Sequence, residues 1–377
     1  MESGKNKKTY NTIIAAIVLC ILAFASCKKQ SDDGAAVTTP VIVPPNDGTA
    51  NWTRVTTLPN EPFSVIEKIN NVIYASSLSS AKIYMSADNG TSWTASSPIL
   101  PGIEITAISA FKNRIYAGTF LDDTFFSTDN GKTWKDAQNI VTNIASFAAW
   151  NNNLYSASYN WGVQVLDTLT NQWHPFINGF PVPFTDRATR VLTIDSTLGA
   201  ATVNSFAVYD TKQQLWRTHT YPPDVKAPYY VVDMVYNNGT ILAQTYADAK
   251  NVQYLIRSDD KGLTWHQDSQ GFRTDIANYT MMGFGIGVNN YYAIVNQAPN
   301  GTWVQKRNKS APNGASWATG EEFLPKFHSH CIREYNNRIF LATDSGVMLR
   351  PMGPLNLKWI KVNAIICSWL KVLLDRN

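Results

Sequence analysis

An eight-residue pattern, Ser-x-Asp-x-Gly-x-Thr/Ser-Trp, constrains this chain more than any other feature. It occurs as Ser86-Ala-Asp-Asn-Gly-Thr-Ser-Trp93, Ser127-Thr-Asp-Asn-Gly-Lys-Thr-Trp134 and Ser258-Asp-Asp-Lys-Gly-Leu-Thr-Trp265. A fourth copy, Ser310-Ala-Pro-Asn-Gly-Ala-Ser-Trp317, keeps all but the aspartate. The chemistry reads as a hairpin turn that bonds to itself. Asp88, Asp129 and Asp260 can accept backbone N–H groups across the turn, and Gly90, Gly131 and Gly262 supply a positive φ. Ser86, Ser127 and Ser258 offer hydroxyl partners, while Trp93, Trp134 and Trp265 are large anchors for a neighbouring surface. All of these residues are expected to serve structure.

The closing tryptophan recurs beyond the full octets, as Trp52, Trp93, Trp134, Trp173, Trp216, Trp265, Trp317 and Trp359, at intervals of 39 to 52 residues. A second marker runs in step, an Asn-rich turn followed by a β-prone run: Asn70-Asn71-Val-Ile-Tyr, Lys112-Asn113-Arg-Ile-Tyr, Asn152-Asn153-Leu-Tyr, Asn237-Asn238-Gly-Thr-Ile, Asn289-Asn290-Tyr-Tyr and Asn336-Asn337-Arg-Ile-Phe, with a degenerate copy at Asp195. Each unit therefore reads strand, Asn-rich turn, strand, loop, strand, octet turn, strand. Four short antiparallel strands in every 40 or so residues, repeated seven times, predict an all-β, seven-bladed β-propeller over residues 51–363. Helix-period patterns are nearly absent, which excludes helical solenoids. A closed ring also removes exposed sheet edges. Eight tryptophans for seven units leave one terminal strand surplus, and the N-terminal strand is expected to complete the C-terminal blade.

The N-terminus carries a different message. Lys5, Lys7 and Lys8 precede an apolar run, Ile13 to Ala25, too short for an ordinary membrane span. It ends in Phe24-Ala25-Ser26-Cys27, which resembles a bacterial lipobox, although that pattern prefers Leu where Phe24 stands. The resemblance implies a signal peptide over 1–26, cleavage before Cys27 and lipidation of that cysteine. The competing reading is an ordinary secretory signal with an incidental cysteine. Residues 27–50, with Asp32-Asp33, Thr39-Pro40 and Pro44-Pro45, read as a flexible tether. Localisation to the cell envelope follows, anchored to a bacterial membrane, with the outer membrane expected on its periplasmic side or surface. Residues 364–377 form an apolar tail that reads as a capping helix or an added strand. Cys331 and Cys367 are left for the mature body, either paired or as two buried thiols. A formal net charge of +4 without charge runs gives no reason to expect nucleic acid, and a monomer is expected.

The repeated octet is similar to the Asp-box, or BNR repeat, of the sialidase-like superfamily. That likeness implies that the octet joins the third and fourth strands, on the face opposite the binding mouth. The mouth is then built by the connection into each first strand and by the loop between second and third strands. Candidate ligand-binding residues there are Tyr159, Trp161, Arg187, Arg190, Tyr229, Tyr230, Tyr246, Tyr279, His328 and His330, with Glu104, Asp122, Asp123 and Asp186 as candidate catalytic carboxylates. Aromatic platforms beside charged groups suit a sugar or an acidic peptide; filling of the channel by the same tyrosines is the plainer alternative. His328 and His330 make at most half of a metal site, so no metal and no cofactor is expected. Paired glycosidase carboxylates need separations that sequence cannot supply.

The catalytic motifs of sialidases are missing: no Phe/Tyr-Arg-Ile-Pro precedes the first unit, and sialidases have six blades. Xyloglucanase-type enzymes pair two propellers around their cleft, whereas photosystem assembly factors and sortilin-type receptors use the seven-bladed form as a binding scaffold. The expected function is a non-catalytic, lipid-anchored propeller binding a glycan or protein partner. A glycoside hydrolase acting on extracellular glycans is the alternative.

Overall fold

A computed structural model describes residues 52–99, 103–121, 123–138, 141–181, 187–222, 229–247, 252–272, 279–297, 301–311 and 315–351. The expected leader, tether and tail lie outside the described residues, as do Cys27, Asp122, Asp186, Trp359 and Cys367. Within the described residues the chain forms seven antiparallel sheets of four strands and no helix. Blade 1 runs outward as Phe63–Ile69, Val72–Ser77, Ile83–Ser86 and Thr94–Ala95. Five further blades repeat that order. The innermost strands are Phe63–Ile69, Ile105–Phe111, Ile144–Trp150, Arg190–Ile194, Tyr229–Asn237, Tyr279–Ile286 and Ser329–Tyr335. Each touches the next and the seventh touches the first, so the ring is closed.

Local chemistry explains the turns. Between first and second strands the chain reverses with positive φ at Asn70, Lys112, Asn152, Asp195, Asn238 and Asn336. Asn and Asp tolerate that left-handed backbone better than other side chains do. Between third and fourth strands the octets bond to themselves. Asp129 accepts from the Thr133 amide at 2.9 Å and hydroxyl at 2.6 Å, while Ser127 Oγ accepts from the Gly131 amide at 2.8 Å. Asp88 and Asp260 repeat the arrangement with Ser92 and Thr264. These bonds to the ionised form hold Asp88 and Asp129 down to about 2. Gly262 also needs to be glycine for space, since a Cβ there would lie 2.2 Å from the Phe206 ring of the preceding blade.

The core is divided into seven clusters, one between each pair of adjacent blades, and each holds one of the repeating tryptophans. Trp265 meets Phe206 edge to face at 5.1 Å and Tyr221 at 5.6 Å, for example. The tryptophan is thus the residue that fastens one blade to the one before it, which is why it persists where the octet has decayed. Outer strands differ in a related way. In the blades with a full octet the fourth strand is two residues long (Thr94–Ala95, Lys135–Asp136, His266–Gln267). In the three other blades built of consecutive strands, where the octet is lost or incomplete, it extends to Gln172–Pro175, Leu215–Thr220 and Ala318–Pro325; the seventh blade, whose fourth strand comes from the N-terminal side, again has two residues there. A turn that supplies its own hydrogen bonds needs less ladder behind it.

Closure follows the expected seam. Thr53–Arg54 pairs with Gly346–Pro351 and completes the seventh blade, with Trp52 buried between blades 6 and 7.

Candidate functional site

The innermost strands surround a channel, and a cavity of about 1120 Å³ occupies it and opens at one mouth. Its wall combines strand residues with residues from the entering connections and the second-to-third-strand loops, among them Leu78, Glu104, Phe120, Leu121, Asn143 and Tyr159. The octet turns lie at the opposite ends of the strands.

Six of the seven innermost strands carry a β-bulge near this mouth, at Phe63/Val65, Ile105/Ala107, Ile144/Ser146, Val231/Asp233, Met281/Gly283 and Ser329/Cys331. A bulge adds twist and re-aims the side chains beside it. Here it turns polar side chains across the gaps between inner strands, which are not joined to one another by backbone ladders. Ser64 Oγ donates to the Ile105 carbonyl at 2.9 Å, and the Thr106 hydroxyl to the Ile144 carbonyl. The Val191 amide donates to Ser146 Oγ at 2.8 Å. Arg190 Nε lies 3.8 Å from Asp233, whose other oxygen accepts the Phe284 amide at 2.8 Å. Arg333 then donates to the Phe284 carbonyl at 2.8 Å and reaches Glu67 at 3.7 Å. Side chains thereby link all seven inner strands into a hoop.

The hoop divides the channel. Blades 2 and 3 contribute an apolar wall of Ala107, Ile108, Phe147 and Ala148, while blades 4, 5, 7 and 1 contribute Arg190, Asp233, Arg333 and Glu67. Arg190 and Arg333 each keep 26% of their side-chain surface open to the channel but are ringed by protein. Burial pulls the Arg190 guanidinium below its ordinary value, against the pull of Asp233. For Arg333 burial acts the same way, but the neighbouring carboxylates of Glu67 and Asp233 pull in the opposite direction and the group is held above its usual range. Burial raises the Cys331 thiol, which is free and sits 3.9 Å from the Ile66 carbonyl. Gly283 leaves room for Asp233, as a Cβ there would lie 3.0 Å from the carboxylate.

Around the rim, Glu104 is exposed as a residue, yet the concave wall surrounds its carboxyl and burial raises it above the usual carboxylate value. Arg187 stacks over the Tyr159 ring at 4.5 Å, and Arg190 and His330 line the cavity. Burial lowers His330, opposed by Asp344 and reinforced by His328. Trp161 stands on the loop between Asn153–Ser158 and Gly162–Asp167, 40% exposed and outside the cavity wall. The Asp123 carbonyl accepts the Thr119 hydroxyl at 2.9 Å. His328 precedes the seventh inner strand, and its carbonyl accepts the Asp344 amide. The backbones of Tyr229, Tyr230, Tyr246 and Tyr279 lie in ladders of blades 5 and 6, and their side chains are outside the described part. Among the described residues no three His, Cys, Asp or Glu side chains gather as a metal site. Of the residues named from sequence, Glu104, Tyr159, Arg190 and His330 line the cavity and Arg187 stacks beside it, whereas Glu67, Asp233, Arg333, Phe120 and Leu121 were missed. A charged residue inside an otherwise apolar first strand was the available signal.

Solved structures share this architecture. The extracellular domain of a hybrid two-component system from B. thetaiotaomicron superposes with a TM-score of 0.60 at 14% identity, covering 80% of this chain and 39% of that one. YCF48 from Cyanidioschyzon merolae gives a TM-score of 0.59 at 14% identity, over 80% of this chain and 98% of the other. YCF48 bound to D1 peptide gives 0.58 at 12% identity, over 81% and 97%. The likeness is one of fold. The chain spans about two fifths of the length of the B. thetaiotaomicron domain. No family model and no curated protein matches it.

Proposed function

We propose that this chain is a lipid-anchored, extracytoplasmic propeller that binds a protein partner or a glycan at its mouth, without catalysis and as a monomer. The observation that carries the reading is the open cavity beneath a rim of Phe120, Leu121, Tyr159 and Arg187, with Trp161 beside it. Phe120, Leu121 and Trp161 are 50%, 75% and 40% exposed. Large side chains left open around a concave site mark recognition surfaces more often than they mark solvent-facing decoration. The carboxylates deeper in the channel lean on arginines or backbone amides, so they act as walls rather than as free acids. One fold neighbour bound to D1 peptide, and another that is an extracellular domain, support the same reading. Lipidation at Cys27 supplies the anchor.

The test is a glycan array together with a pull-down from envelope extracts, using a soluble Cys27→Ser chain. Capture by the parent chain is expected to drop about tenfold or more in a Leu121→Ala, Trp161→Ala double variant, the scale of losing two interface anchors. Binding unchanged by that pair, or turnover of any polysaccharide abolished by Glu104→Gln, contradicts the reading. The second outcome favours the hydrolase alternative. Glu104 is the feature that keeps that alternative in view, because burial raises its carboxyl, the direction a general acid requires. Anchoring is tested separately, by loss of membrane partition in Cys27→Ser.

A further inference from the structure

The polypeptide enters and leaves the ring at one corner. Thr53 pairs with Leu349 and Arg54 with Met348, so Trp52 lies toward the end of the seventh blade where Pro351 finishes opposite Arg338. In the other six blades that end carries the turn between third and fourth strands. Both ends of the described chain therefore lie at the turn face, away from the mouth. Upstream, the sequence leads to Cys27; downstream, it leads to the apolar run Ile365 to Leu374.

The turn face has an apolar component of its own. Leu169 is 94% exposed, Leu263 50% and Val288 72%, each on a turn of this face. Turns from neighbouring blades are tied together there, as where Lys112 Nζ donates to Thr168 Oγ1 at 3.1 Å and Arg338 to the Asn89 carbonyl at 2.7 Å. The face is thus a braced platform with protruding apolar side chains. Its charges are mixed: Lys112, Lys132, Lys212 and Lys261 stand among the octet aspartates.

We propose that this turn face lies on a lipid bilayer, with Leu169, Leu263 and Val288 entering the headgroup boundary, and that the mouth is thereby turned toward the aqueous side. The proposal rests on the anchoring at Cys27. Even fully extended, residues 27–50 reach at most about 80 Å, so the anchor alone does not fix which face meets the bilayer. Apolar turns, on the face where both ends of the described chain lie, are what hold that face down. Mixed charge makes apolar insertion, rather than anionic headgroups, the determinant.

The experiment uses the full, lipidated chain in phosphatidylcholine vesicles carrying headgroup nitroxide lipids. Single cysteines at Leu169→Cys and Val288→Cys, and at the mouth at Leu121→Cys and Trp161→Cys, are introduced into a Cys367→Ser background and labelled with a fluorophore; buried Cys331 stays unlabelled. Probes on the turns are expected to be quenched roughly threefold more than probes at the mouth, given an insertion depth of about 5–10 Å. Equal quenching, or stronger quenching at the mouth, overturns the orientation while leaving the anchor intact. Cross-linking between two copies through Leu169→Cys or Val288→Cys identifies a second chain as the occupant of the face and also overturns it. Protein that stays out of the vesicle pellet refutes the anchor itself, and the orientation with it.

Discussion

Asp268 and Arg307 form a two-point ion pair between blades 5 and 6, and separating them provides a direct test of how the ring is held. Nη1 lies 2.8 Å from one carboxylate oxygen and Nη2 2.6 Å from the other. The side chains are 1% and 3% exposed, and the guanidinium lies over the Trp317 ring at 4.5 Å. Replacing Arg307 by Met keeps much of the volume on Trp317 but leaves a carboxylate buried without its cation. Removing one partner of a buried pair costs about 3–5 kcal/mol, whereas replacing both by apolar groups is often neutral. Arg307→Met is therefore expected to lower Tm by about 6–10 °C, at roughly 2 °C per kcal/mol for a body of this size. Asp268→Leu combined with Arg307→Met is expected to recover most of that loss. Calorimetry of the soluble Cys27→Ser chain reads all four corners of the cycle. The reasoning fails if Arg307→Met costs less than about 1 kcal/mol, or if the double variant loses the sum of the two single changes.

Three further outcomes are expected. Gly262→Ala should destabilise by about 2–4 kcal/mol, from left-handed backbone strain plus the collision with Phe206, while Gly239→Ala, at φ +86 with open space around it, should cost only about 1–2 kcal/mol; equal losses in urea titrations would remove the packing argument. Asp129 is held at about 2 when folded, against 3.8 as the ordinary value, so its contribution is present above pH 3.8 and is lost as the pH falls toward 2. Asp129→Asn should flatten the stability–pH curve in that window and nowhere else. His330 is lowered by burial, so the unfolded chain takes up its proton first and stability falls as the pH drops below 6.5; His330→Asn should remove part of that slope, and an unchanged slope would show that the imidazole is not shielded.

Much of the fold was legible because its signals are local. A turn that needs positive φ selects Asn, Asp or Gly, and an interface that needs one large ring selects Trp, so both recur at fixed places in each unit. The seam was legible for the same reason: Trp52 stands immediately before a strand, as Trp93 does. The channel was not legible, since Glu67, Asp233 and Arg333 come from three blades and meet only after the ring has closed. Nothing beside them in sequence announces their partners. Outer-strand length was also hidden, because it depends on whether the turn before it is self-sufficient.

The closing strand has a consequence for the order in which this protein is made. Thr53 finds its partner Leu349 only after 296 further residues have been added. Until then, six blades stand as an open horseshoe, with the strand Thr53–Arg54 unpaired and Trp52 uncovered at the same end. Contacts of such long sequence separation form late, because loop entropy must be met before they form. A chain cut short anywhere before Gly346 lacks the strand on which the first one lands. The last described strand is therefore also the one that brings the first described strand into the sheet.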